Sequence, residues 1–178
     1  MKGVLFTEFL RFADDELGSA VVAGVADRAR YASTGDYDHR ELLDLVDALS
    51  RATGRPPGQL LGAFGSELFR YFAKMYPVFF AGTDSAVGFL SGVDTYVHGE
   101  LTKLYPGAQF PRFDISHPAA DRLEMVYRSE RQLADLAEGL IRGCVEHFGD
   151  SVDVRREDLP GGPQQVVRFV LLTVPNRR

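Results

Sequence analysis

The spacing of apolar residues changes character near Phe110-Pro111, and that change limits the chain to folds that join a helical part to a sheet. Before it, the spacing is helical. Phe9, Phe12, Leu17, Val21, Val22 and Val25 predict two helices within residues 5–30, broken at Gly18-Ser19. Leu42, Leu45, Val46 and Leu49 fall at i, i+3, i+4 and i+7, which predicts a helix over residues 39–53 stopped by Gly54. Pro56-Pro57 opens the next segment, where Leu60, Leu61, Phe64, Leu68, Phe69 and Phe72 form a broad apolar face up to Tyr76-Pro77. From residue 83 to 104, Leu90, Val93, Val97, Leu101 and Leu104 recur at intervals of three and four. They predict one long amphipathic helix that carries His98 and stops before Pro106-Gly107.

After the change, residues 121–131 alternate, with Leu123, Met125 and Tyr127 on one face of a predicted strand. Residues 132–148 return to helical spacing through Leu133, Leu136, Leu140 and Val145. The β-branched runs 152–156 and 166–174, joined by Pro160-Gly161-Gly162-Pro163, predict a hairpin. The class is α+β: a helical N-terminal part packed on a C-terminal antiparallel β-sheet with interspersed helices. At 178 residues the chain can bury one sizeable core, so residues 1–178 are expected to form a single domain.

Composition excludes several classes of function. With 45% hydrophobic and 25% charged residues the chain is of the folding kind and not the disordered kind. A net charge of −5 with scattered Lys and Arg leaves no extended phosphate-binding face, so no nucleic-acid partner is expected. Glu8, Arg11, Asp14 and Asp15 interrupt any export signal. The most apolar stretch, residues 77–90, contains Pro77, Gly82, Asp84 and Gly88 and falls short of the ~18 apolar residues that a membrane span needs, so no membrane insertion is expected. The lone Cys144 can form neither an intrachain disulfide nor a zinc-type pair, and a cytoplasmic setting is expected. No Gly-rich phosphate loop, nucleophile elbow or kinase motif is present, so no enzyme is expected.

Two features could carry chemistry. Of the four histidines, at 39, 98, 117 and 147, none pairs in a metal-binding spacing. His98 alone lies beside the apolar stripe of the long helix, one turn from Asp94 and Leu101, where a neutral imidazole could face the interior. Both a ligand role and a satisfied core histidine are open. The second feature is Tyr127-Arg128-Ser129-Glu130-Arg131. In an extended segment Tyr127, Ser129 and Arg131 share a side, so two hydroxyls and a guanidinium fork could grip a carboxylate. An exposed polar strand end has the same letters. A neutral nitrogen ligand and a carboxylate grip together are what heme binding requires.

Met1-Lys2-Gly3, residues 76–82, the run 97–105 around His98, Pro111, and Tyr127, Ser129 and Arg131 together resemble the heme nitric oxide/oxygen binding (H-NOX) family over nearly the whole chain. The resemblance implies heme b (iron protoporphyrin IX) held between the helical and sheet parts. His98 would be the proximal iron ligand, Tyr127, Ser129 and Arg131 would hold the propionates, and Pro111 would press on the porphyrin and distort it. Leu5, Phe9, Leu68, Phe72, Leu101 and Leu136 would surround the ring.

Oxygen-binding members of that family use a distal tyrosine in the helix after this motif, and here that position is Leu136, with Phe9 and Leu68 at the supporting positions. Bound dioxygen takes on negative charge, and a hydrogen bond to it is worth about 1.5–3 kcal/mol, or roughly 10- to 150-fold in affinity. The expectation is therefore a sensor of NO and CO with no stable oxygen complex. An oxygen-binding sensor or carrier on the same heme, and a heme-free interaction module, are the alternatives. The resemblance further implies that NO weakens or breaks the iron–His98 bond and shifts the helical part against the sheet. The expected reader of that movement is a partner such as a histidine kinase or a cyclic-di-nucleotide enzyme. Zinc sensing is not expected, because the chain lacks the family's C-terminal cysteine cluster.

Overall fold

The computed structural model describes residues 1–27 and 30–174, and its helices stop where the sequence supplies a residue that can end them. Helix α1 (Gly3–Leu17) gives way at Gly18, whose φ of 91° only glycine adopts readily, and α2 (Ser19–Val25) follows at once. Helix α3 (His39–Thr53) starts at Asp38, whose carboxylate accepts the Arg40 N–H at 2.9 Å, and ends at left-handed Gly54. Helix α4 (Pro57–Met75) begins on a proline, where no N–H is missed. All four agree with the apolar spacing.

The expected long helix over 83–104 is three pieces. Helix α5 (Ala86–Ser91) is followed by a π-helical turn, Val93–Val97, and then by α6 (His98–Leu104). In the turn the Val97 N–H reaches back five residues to the Gly92 carbonyl and the His98 N–H to that of Val93. The extra residue rotates α6 by about 100° relative to a continuous α-helix. Apolar positions on either side therefore cease to share a stripe, and Leu104 ends 55% exposed.

The sheet has four antiparallel strands in the order β1-β2-β4-β3: β1 (Arg112–Ala119), β2 (Arg122–Ser129), β3 (Val152–Leu159) and β4 (Gln165–Thr173). The predicted hairpin is β3–β4, and it joins the rest through β4, with Met125 opposite Phe169. The spacing gave no sign of β1. Only Phe113 and Ile115 alternate there, between Pro111 and Pro118, and the pairing with β2 slips between Ser116 and Ala119. Helix α7 (Ala134–Phe148) returns across the molecule, as its spacing predicts.

Two apolar clusters result. The first is made by α1 to α4 with Leu133 and Leu136; the second joins α5 and α7 to the inner face of the sheet through Leu123, Met125, Tyr127, Val167, Phe169 and Leu171. Helices α4 and α7 contribute to both. They pack at backbone contact: a Cβ on Gly139 would lie 2.1 Å from the Gly62 carbonyl oxygen, and one on Gly65 would lie 2.5 Å from that of Leu136. Among the described residues no helix is long and apolar enough to cross a membrane.

This contact predicts opposite outcomes for two glycines. Gly139→Ala has only backbone to displace and is expected to lose about 1–3 kcal/mol. Gly62→Ala would place its Cβ at an ordinary 3.8 Å from its neighbour and is expected to be neutral or stabilising. Urea denaturation with unchanged m-values checks both.

Candidate ligand site between the two apolar clusters

His98 is the first residue of α6, and the π-helical turn before it sets the direction of its side chain. The side chain is 16% exposed, and its ring stacks on Phe110 with centroids 4.7 Å apart and planes 15° off parallel. Phe113 is the next ring, at 6.1 Å. The imidazole Nδ1 lies 3.5 Å from Asp94 Oδ1, buried and without a well-formed hydrogen bond. Burial pushes the pKa of His98 below the usual histidine value, and the Asp94 carboxylate opposes that only in part. The ring is therefore neutral near pH 7, the form that a metal ion accepts as a ligand.

Tyr127 lies on the inner face of β2, 1% exposed, and its hydroxyl makes no well-formed hydrogen bond, with the Ser129 side chain and the Leu133 backbone as its polar neighbours. Burial raises its pKa, against lesser opposing effects of Ser129, Leu133 and Arg131, so the hydroxyl keeps its proton and is a donor without a well-placed acceptor. Ser129 shares that side of the strand, and its Oγ accepts the Arg131 N–H at 3.1 Å. Arg131 does not extend the row, because β2 ends at Ser129 and the chain turns through Gln132 at a φ of 53°. Its guanidinium instead donates to the Gln109 carbonyl at 2.9 Å and to Gln109 Oε1 at 2.8 Å. Both acceptors are neutral, so the charge of Arg131 is left for an anion to compensate.

The apolar residues expected around a ligand divide between the clusters. Phe9, Leu68 and Leu136 are buried in the first, with Leu5 and Phe72 half-buried against it. Leu101 is half-buried against the second, as are Val93 and Val97. Pro111 is half-buried in the loop between α6 and β1. No polar or charged residue is fully buried among the described residues. The half-buried members leave apolar surface for a bound molecule to cover. One neutral nitrogen ligand, apolar walls, an unpartnered hydroxyl and a guanidinium on neutral acceptors are a donor set that fits heme.

Sequence reasoning gave no role to Gln109, Phe110 or Phe113, and Asp94 entered only as a neighbour of His98. The aromatic residues flanking Pro111 were a legible signal, although their contact with His98 depends on the course of the intervening loop. The Tyr76 hydroxyl, on the residue that ends α4, bonds that of Tyr105, on the residue that ends α6. Burial raises the pKa of Tyr76 strongly, which keeps its hydroxyl protonated.

Comparison with known proteins identifies the same architecture elsewhere. A sequence model described as Haem-NO-binding matches residues 2–156. The Fe(II) unliganded H-NOX protein from K. algicida superimposes with a TM-score of 0.91 at 28% identity, covering 100% of this chain and 99% of that one. A single-residue variant of the T. tengcongensis H-NOX gives 0.86 at 26% identity, with 97% of each chain covered. The S. oneidensis H-NOX in the Fe(II)NO ligation state gives 0.87 at 22% identity over 98% and 99% of the two chains, a likeness of fold. No curated protein sequence matches this chain significantly.

The unpartnered hydroxyl of Tyr127 makes a direct prediction for heme-free protein. Tyr127→Phe removes a buried polar group that has no partner, so it is expected to leave stability unchanged or to raise it by about 1 kcal/mol. Chemical denaturation of protein produced without heme measures this. A loss above 2 kcal/mol, roughly the cost of breaking a satisfied buried bond, would show that the hydroxyl already has an acceptor.

Proposed function

The chain belongs to the Haem-NO-binding family, and from that premise we propose that it is a heme-based sensor of nitric oxide, and of carbon monoxide, that forms no stable oxygen complex. Heme of the b type, when bound, supplies ferrous iron with one coordination position for a protein nitrogen and one for a diatomic gas. His98 provides the protein nitrogen. Its Nδ1 faces Asp94, which leaves Nε2 as the nitrogen for iron. Tyr127, Ser129 and Arg131 hold the propionate carboxylates, two through hydroxyl donors and one through charge. Pro111 would press on the ring, and Leu5, Phe9, Leu68, Phe72, Leu101 and Leu136 would surround it, with Phe9, Leu68 and Leu136 toward the gas.

The observation that carries the choice of gas is the chemistry of that gas side. Phe9, Leu68 and Leu136 are buried in one hydrophobic cluster, and none of these three can donate a hydrogen bond; the tyrosines packed against it, Tyr31, Tyr37 and Tyr71, lie at its half-buried rim. A ligand that develops charge on iron gains nothing there, and one that stays nearly neutral loses nothing. Oxygen belongs to the first kind and NO to the second. Helices α4 and α7 contribute to both clusters, so a displacement of His98 relative to the first cluster moves the helical part against the sheet. A partner protein, of the histidine kinase or cyclic-di-nucleotide enzyme class, reads that movement. The whole described chain acts as one heme-binding unit, and its single cysteine, a buried free thiol, suits a cytoplasmic setting.

Titration of the reduced protein with the three gases, followed by its visible spectrum, is expected to give nitrosyl and carbonyl forms and no persistent oxy form in air. A stable oxy spectrum would reject the assignment. Leu136→Tyr supplies the missing donor and is expected to raise oxygen affinity by roughly 10- to 150-fold. His98→Ala is expected to abolish the ferrous five-coordinate spectrum and to recover it when imidazole is added; an unchanged spectrum without imidazole would mean that another residue is the ligand.

A further inference from the structure

Asp94 has a place in the structure that the gas chemistry alone does not require. It sits in the π-helical turn, one turn before His98, and its Oδ1 faces two donors. One is the Phe113 N–H of β1, which it accepts at 3.2 Å. The other is His98 Nδ1, 3.5 Å away and otherwise without a partner. A second tie lies on the other side of Gly92, where Ser91 Oγ and His117 Nε2 of β1 are 3.1 Å apart. The segment that carries His98 is thus fastened to β1 both before the π-helical turn and within it, and among the described residues β1 is an edge strand paired only with β2.

We propose that Asp94 is a positioning residue that fixes the His98 imidazole for iron and couples the state of that ligand to edge strand β1. The inference rests on the heme-binding reading above. A carboxylate that accepts from Nδ1–H selects the tautomer whose Nε2 lone pair is free for a metal and makes that nitrogen a stronger donor. A carboxylate acceptor at this position acts on the imidazole more strongly than a neutral carbonyl would. Because the same oxygen holds the Phe113 N–H, a change in the position of His98 reaches the start of β1 directly, without passing through the apolar core. The exposed edge of the sheet then reports the ligation state of the iron.

Two substitutions separate these roles. Asp94→Asn keeps an oxygen for the Phe113 N–H and removes the charge; Asp94→Ala removes both. Resonance Raman spectroscopy of the ferrous, gas-free protein reads the iron–imidazole stretch, and amide hydrogen exchange reads the protection of Phe113. In Asp94→Asn the stretch is expected to move to lower frequency with Phe113 still protected. In Asp94→Ala the stretch is expected to fall as well, and the Phe113 amide to exchange about 10-fold faster. Heme loss to an acceptor globin is expected to accelerate about 10-fold in both, the usual effect of removing an outer-shell partner. An iron–imidazole stretch at the native frequency in both variants would overturn this proposal alone. A native protein with no Soret band would overturn the heme reading and this proposal together.

Discussion

The backbone approach of α4 to α7 is the contact on which both halves of the molecule depend. Neither helix belongs to a single cluster: α4 gives Leu60, Phe64 and Leu68 to one and Phe69 to the other, and α7 divides Leu136 from Ala137, Ile141 and Cys144 in the same way. Side chains at Gly65, Gly139 and Gly143 would force the two axes apart. Their absence lets the helices approach where Leu68 and Leu136, each three residues from a contact glycine, are buried in the same cluster. The stability of the crossing and the packing of the first cluster are one constraint, because any change that separates the helices also loosens the side chains buried beside them.

The site combines groups that are poorly satisfied by the protein alone. A neutral buried imidazole, a buried tyrosine hydroxyl with no acceptor and a guanidinium resting on amide oxygens each carry unused bonding capacity. A buried polar group left without a partner costs about 1–3 kcal/mol, so a chain with no ligand to bind has reason to lose such groups. Here they lie around incompletely covered apolar side chains, which is where a flat apolar molecule with acidic edges would repay that cost.

Much of this was legible in the residues. The course of α3, α4 and α7 follows from apolar spacing and from Gly54 and Pro56-Pro57, because one-sided burial and helix-ending residues leave a trace in the sequence. The β3–β4 hairpin is legible for the same reason. Strand β1 is not, since two alternating residues between prolines are too short a pattern and its pairing comes from β2. The π-helical turn is also hidden, because one inserted residue leaves intervals of three and four intact while turning the face they mark. His98, Tyr127 and Ser129 could be named as a group from the motif. The position of Arg131 could not be derived from strand geometry, because it depends on a turn at Gln132 and on a loop residue, Gln109, which the alternation does not reach.

The hydroxyl pair of Tyr76 and Tyr105 has a mechanical consequence. It joins two residues 29 apart in the chain, so the stretch between them, with His98 on it, is an arm fastened at its neck. The same stretch is held by the burial of Phe79, Ala86, Phe89 and Leu90 and by the ties of Ser91 and Asp94 to β1, so its neck is one of several fixed points. A pull on the imidazole therefore reaches the end of α4 through the hydroxyl pair as well as β1 through Asp94.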